Sequence, residues 1–148
     1  MEKVLKIKKL RDGAVIPKRA TPGSAGMDLY AVLDEEKTIE KGEILLVPTG
    51  IAIELPDENY VAYLFARSGL AIKHGITLAN CVGVIDSDYR GEVCVGLVNV
   101  SNTPYTITPG ERIAQLVISP VSLMPTMEID TLSDTERGEG GFGSTGKT

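Results

Sequence analysis

The run Asn80-Cys81-Val82-Gly83-Val84-Ile85-Asp86-Ser87-Asp88-Tyr89-Arg90-Gly91-Glu92 carries more chemistry than any other stretch of this chain. Asp86 directly follows mostly apolar residues, so its carboxylate is expected to be partly desolvated and basic enough to take a proton. Asp88, two residues on, would share a strand face with Asp86, as paired metal ligands do; turn formation is the plainer reading of Asp88. An asparagine side chain and exposed backbone groups can read a base edge, and a tyrosine can stack on a sugar. The segment reads as a hairpin, with an apolar strand entering Asp86 and a second strand leaving Gly91.

A second segment, Ala66-Arg67-Ser68-Gly69-Leu70-Ala71, suggests anion binding. If Ser68 caps a short helix over Leu70, Ala71 and Ile72, free N–H groups and the positive helix end lie beside Arg67. Lys73 and His74 suit the negative end of such a helix, and Gly75 closes it. The tail from Gly141 to Thr148 matches the P-loop pattern letter for letter. A P-loop follows a buried strand and opens a helix, and neither is legible here, so a true P-loop is not expected. Its consecutive small residues can still wrap phosphate oxygens with backbone N–H groups. Two weaker segments, Ala25 to Ala31 around Asp28 and Gly110 to Leu116 around Arg112 and Gln115, read on their own as fold punctuation.

These residues must be positioned by strands. Val4–Lys9 alternates apolar and basic residues, and short apolar runs recur at Ile44–Pro48, Ile51–Leu55, Tyr60–Ala66, Glu92–Val100 and Arg112–Ile118. Turn signals such as Pro48-Thr49-Gly50 and Thr108-Pro109-Gly110 separate them. The pattern predicts an all-β sandwich, barrel or jelly roll with one short helix. From about Thr131 the chain turns glycine-rich and polar, and such a segment cannot offset its ordering entropy until something binds. Phe142 has no core to join there and needs a partner.

Composition narrows the classes. At 148 residues, one core suffices. The formal net charge of −5, without a basic block, argues against a nucleic-acid polymer as main partner. The first residues lack an apolar run suited to a signal peptide or a span, so a soluble cytoplasmic protein is expected, with no membrane partner. Cys81 and Cys94 sit among apolar residues and are expected as buried free thiols; one histidine, His74, is too little for a histidine-based metal site.

Taken in chain order, the five segments resemble the five motifs of the trimeric dUTP diphosphatase family, from Ala25 to Gly146. The most specific are Gly-Val-Ile-Asp-Ser-Asp-Tyr-Arg-Gly and Arg-Gly-Glu-Gly-Gly-Phe-Gly-Ser-Thr-Gly. The resemblance implies a distorted jelly-roll or β-clip barrel over residues 1–130. Residues 131–148 would form a flexible arm closing over a neighbouring subunit's site. It further implies a homotrimer with shared sites and Mg²⁺-dependent hydrolysis of dUTP to dUMP and pyrophosphate. That reaction limits uracil incorporation into DNA and supplies dUMP for dTMP synthesis.

By the same resemblance Asp86 activates the attacking water and contacts the sugar 3′-OH, and Tyr89 packs under the deoxyribose, excluding a 2′-OH. Gly83, Val84 and Ile85 read uracil through main-chain groups, and Asn80 adds a side chain. Arg67, Ser68 and Gly69 hold phosphates with Gln115 beside them, while Asp28 positions water around the metal. Phe142 stacks on uracil, and Arg137, Gly143, Ser144 and Thr145 close over the triphosphate. Two rivals remain: a dCTP deaminase on the same fold, disfavoured by the Tyr89 context and the complete tail, and a nucleotide-binding regulator without catalysis, which intact Asp86 argues against.

Overall fold

Alternation along the strands decides which side chains go inward. In Met27–Tyr30, Met27 and Leu29 are buried while Asp28 and Tyr30 are half-buried, the period of two that a pleated strand imposes. The computed structural model describes residues 2–146. In chain order its elements are β1 Lys6–Lys9, β2 Met27–Tyr30, β3 Lys37–Ile39, β4 Ile44–Pro48, β5 Ile51–Glu54 and β6 Tyr60–Phe65. There follow α1 Ser68–His74, β7 Ile76–Leu78, β8 Gly83–Ile85, β9 Cys94–Asn99, β10 Tyr105–Ile107 and β11 Arg112–Pro120.

Pairing is antiparallel throughout these elements. A four-stranded sheet runs β2-β11-β6-β8 and a three-stranded sheet β4-β9-β7, with β1-β5 and β10-β3 as ribbons. Neighbours distant in sequence are what jelly-roll crossovers produce. The buried faces share one core, including Leu29, Leu64 and Leu116 from the larger sheet and Val47, Val95 and Leu97 from the smaller. The sheets do not close into a barrel, so the jelly-roll expectation holds in its open form.

Three expectations are corrected. The Asp86 segment is not a β-hairpin: β8 pairs with β6, whereas β9 pairs with β4 and β7 in the other sheet. Asp86 thus opens a connection between sheets. Ser68 does not cap α1, because Arg67 holds the N-cap position in extended conformation and no side chain caps the helix. Nor are the thiols both buried: Cys81 is exposed and Cys94 half-buried, since Cys81 sits in a turn with φ 65 rather than in a strand. The last strand, β11, ends at Pro120. Leu123, Met124, Met127, Ile129 and Leu132, all beyond it, are exposed. No helix among the described residues is long and apolar enough to cross a membrane.

Behind α1 the loop after β9 is fixed by one buried polar side chain. Asn99, fully buried, donates Nδ2 to the carbonyls of Ile39 (2.9 Å) and Thr103 (2.8 Å). Its Oδ1 accepts from the Ser101 backbone N–H (2.9 Å) and hydroxyl (2.7 Å). The loop in turn docks α1: Val100 N–H donates to the Gly75 carbonyl at 2.9 Å. A Cβ on Gly75 (φ +68) would lie 2.9 Å from Ser101 N, so both handedness and space demand glycine there. Asn99→Ala leaves four hydrogen-bonding groups without their mate, the buried Ile39 carbonyl among them, and is expected to cost about 3 kcal/mol in urea unfolding. A loss below about 1 kcal/mol would contradict this account of the loop.

Candidate functional site

The expected site residues form three groups. The first lies along β8. This strand is the free edge of its sheet, paired only with β6, so half of its backbone groups face outward unpaired. A cleft of about 240 Å³ beside it is lined by Asn80, Gly83, Val84, Ile85, Asp86 and Tyr89, together with Leu64, Glu92, Val93 and Cys94. The chain reaches that edge through a tight turn at left-handed Cys81, closed by Val82 N–H to the Asn80 carbonyl at 2.7 Å. Gly83 is needed for the pairing, because a Cβ there would sit 2.8 Å from Leu64 Cβ.

Asp86 follows the last strand residue, Ile85, and begins a turn closed by Tyr89 N–H to its carbonyl at 3.2 Å. Arg90 staples that turn by donating Nη1 to the carbonyls of Ser87 (2.8 Å) and Tyr89 (3.1 Å). Asp88 belongs to this turn, so it does not share a strand face with Asp86. The Asp86 side chain is exposed, not partly desolvated, because the strand before it ends at the sheet edge. Tyr89 is anchored by its hydroxyl, which donates to the Glu92 carbonyl at 2.9 Å.

The second group sits on the outer face of the same sheet. Gln115 of β11 lies between Asp28 of β2 and Phe65 of β6 in register. Its Nε2 donates to the Ala66 carbonyl at 3.0 Å, which fixes the chain just before Arg67. Gly26 makes room for it, since a Cβ there would collide with the Gln115 amide oxygen and lie 3.1 Å from Cδ. Asp28 accepts from Arg67 Nε at 3.0 Å and from Arg112 Nη1 at 3.3 Å. Arg67 Nη1 also donates to the Arg112 carbonyl at 3.2 Å. Arg112 reaches Asp28 because β11 bulges between Arg112 and Ala114. The extra residue lets both Ile113 and Ala114 point into the core and returns Arg112 to the outer face. Ser68 and Gly69 follow on the first turn of α1, exposed.

One carboxylate thus holds two guanidiniums, a cluster with one surplus positive charge kept in register by strands. One further contact was not legible in the sequence. The His74 ring lies tilted at 49° to Tyr105 with centroids 4.8 Å apart, and the Tyr105 hydroxyl donates to Glu111. The only available signal for that pair was the i, i+6 spacing across a Pro-Gly turn, which is weak.

The third group, Arg137 to Thr145, touches neither of the others. Its hydrogen bonds are local, such as Arg137 Nε to the Gly140 carbonyl at 2.8 Å, and Phe142 is fully exposed. Lys147 and Thr148, which complete the P-loop pattern, lie outside the described residues; no strand leads into Gly141, the last ending at Pro120. Among the described residues, no three His, Cys, Asp or Glu side chains gather as a metal cage would require.

Comparison with known proteins gives a consistent result. The family model for dUTPase matches residues 12–146. The deoxyuridine 5′-triphosphate nucleotidohydrolase of Desulfitobacterium hafniense (strain Y51) is 56% identical over 131 residues, covering 88% of this chain and 87% of that protein. That of Neisseria meningitidis serogroup A is 52% identical over 146 residues, covering 99% and 97%. Among solved structures, the Staphylococcus bacteriophage 80alpha dUTPase with dUPNHPP superposes with TM-score 0.88 at 30% identity, covering 97% of this chain and 99% of that one.

Tyr105 offers a check on the second group. Burial first, then the hydrogen bond to Glu111, push its phenol up to about 12. The neutral phenol is therefore favoured in the fold. Its stabilisation is complete below the ordinary tyrosine value of about 10 and is lost as pH rises through about 12. Absorbance titration at alkaline pH should show one late tyrosine that disappears in Tyr105→Phe. If that variant leaves the titration curve's late phase unchanged, Tyr105 is not the raised group and its burial against this part of the fold is contradicted.

Proposed function

The chain belongs to the dUTPase family and hydrolyses dUTP to dUMP and pyrophosphate, and from that premise we propose how its residues divide the work. Asp86 accepts a proton from the water that attacks the α-phosphorus. It suits the role by position: its exposed carboxylate stands at the end of the cleft, with no hydrogen bond or ion pair to another described residue. Uracil lies along β8, whose unpaired edge groups and Asn80 match its donors and acceptors. Cytosine exchanges these and leaves buried groups unpaired. Tyr89 carries the deoxyribose. Arg67, Ser68, Gly69 and Gln115 hold the phosphates, and the tail closes over them with Phe142 on the base and Arg137, Gly143, Ser144 and Thr145 on the triphosphate.

Mg²⁺ fits this arrangement when taken mainly by the triphosphate. Asp28 offers no bare carboxylate, since the two arginines occupy it, but it is about a quarter exposed (26%) and keeps lone pairs for a water. The ion's contribution is charge neutralisation on the phosphates.

The observation that supports a shared site is a distance. Arg67's guanidinium is pinned to Asp28 on β2, three strands from β8. At about 4.8 Å per strand the sideways separation alone is roughly 14 Å. Asp86 lies further down the sheet, beyond the Ile85–Ala62 pair, whereas Asp28 is level with Phe65. A phosphate chain held by Arg67 is thus out of reach of Asp86 on the same chain. A homotrimer, with each site assembled from different copies, joins the groups and gives Phe142 the partner that it lacks.

The experiment is pyrophosphate release from dUTP with Mg²⁺. Asp86→Asn keeps shape but removes the proton acceptor, so the rate should fall roughly 10²–10⁴-fold while a non-hydrolysable analogue still binds. Asp88→Asn, in the turn, should have a far smaller effect. Near-normal turnover by Asp86→Asn would assign the base elsewhere.

A further inference from the structure

We propose that Gly91 is a specificity-positioning residue: its missing side chain is the space in which the Tyr89 ring is seated, and this seat sets discrimination between deoxyribose and ribose. The inference rests on the sugar-contacting role given to Tyr89 above.

Gly91 has no left-handed φ, so handedness does not demand glycine. Space does. A Cβ on Gly91 would collide with the Tyr89 hydroxyl oxygen and lie 2.6 Å from Cζ and 3.0 Å from Cε2. The polar end of the ring therefore lies against the backbone two residues on, in a volume that any other residue would fill. The hydroxyl is tied there to the Glu92 carbonyl at 2.9 Å. Glu92 is itself fixed: its Oε2 accepts from Gly50 N–H at 2.9 Å and its Oε1 from Arg11 at 2.8 Å. A tyrosine at 45% exposure has little packing of its own to hold it. Vacancy and tether together give the ring one orientation.

A methyl at position 91 must push the ring off its seat and break the tether. The ring then swings relative to β8 and Asp86, and the gap for a 2′-hydroxyl opens. Base recognition along β8 does not involve Gly91, so uracil preference is retained.

The test measures kcat/KM for dUTP, UTP and dCTP in the full-length enzyme with Mg²⁺, for wild type, Gly91→Ala, Tyr89→Ala, the double variant and Tyr89→Phe. Gly91→Ala should reduce the dUTP-to-UTP ratio by at least about tenfold while the dUTP-to-dCTP ratio stays near wild type. In the Tyr89→Ala background, Gly91→Ala should change the sugar ratio less than about twofold, because the ring it displaces is gone. Tyr89→Phe adds no atoms and cannot clash, so it tests the tether even if Gly91→Ala folds poorly; a several-fold loss of sugar discrimination is expected. If Tyr89→Ala lowers the ratio but Gly91→Ala and Tyr89→Phe do not, the seat is irrelevant and the proposal is overturned while the role of Tyr89 stands. If Tyr89→Ala leaves the ratio intact, both fall. An equal effect of Gly91→Ala with and without the ring also overturns it.

Discussion

Strand β6 is the constraint on which the rest of the molecule depends. It pairs along its whole length with β11 and through Ala62, Tyr63 and Leu64 with β8. Its inward residues Ala62 and Leu64 are buried in the shared core, so its register cannot slip without exposing them. That one register orders β8 as an edge and sends Arg67 out of the far end of the strand. Through β11 it also sets Gln115 level with Asp28. Asp86 and Arg67 are thus placed by the same pairing, and placed apart.

Each group carries a local departure from a regular strand. At β8 it is the unsatisfied edge, usually a liability, which leaves backbone donors and acceptors facing outward. At β11 it is a bulge that faces Arg112 outward without taking Ile113 or Ala114 from the core. At Gly26 and Gly91 it is absence, a side chain left out so that Gln115 or Tyr89 can occupy its volume. The Arg67–Asp28–Arg112 cluster is half-buried, with Arg67 at 27% and Asp28 at 26% exposure. It orients a guanidinium more than it stabilises the fold.

Much of this was legible in the chain. Short apolar runs at Ile44–Pro48, Ile51–Leu55 and Tyr60–Ala66 gave the strands away, whereas the strand around Asp28 read only as punctuation; Asn80, Gly83, Val84, Ile85, Asp86 and Tyr89 line one cleft. What was not legible depended on long-range pairing. Nothing local separates a β-hairpin at Asp86 from a crossover between sheets, because the two differ only in which strand lies beside Cys94. Ser68 carries the usual capping side chain, yet Arg67 takes the N-cap position, and the guanidinium's ties to Asp28 and the Arg112 carbonyl lie 39 and 45 residues away. The bulge in β11 and the contact of His74 with Tyr105 are likewise invisible to periodicity, being properties of two strands or two elements at once.

The central claim is that Asp86 and Arg67 of one site come from different copies of the chain, and refolding two defective proteins together tests it most directly. Asp86→Asn keeps an intact Arg67, and Arg67→Gln keeps an intact Asp86; each should be nearly inactive on dUTP alone. Denatured, mixed and refolded, they should give mixed trimers, visible by native mass spectrometry. Some sites would then pair the good Asp86 of one chain with the good Arg67 of another. The account predicts that activity returns well above the sum of the two proteins refolded separately. Mixed trimers that stay as inactive as their parents would contradict it, since a site built within one chain is defective in every copy.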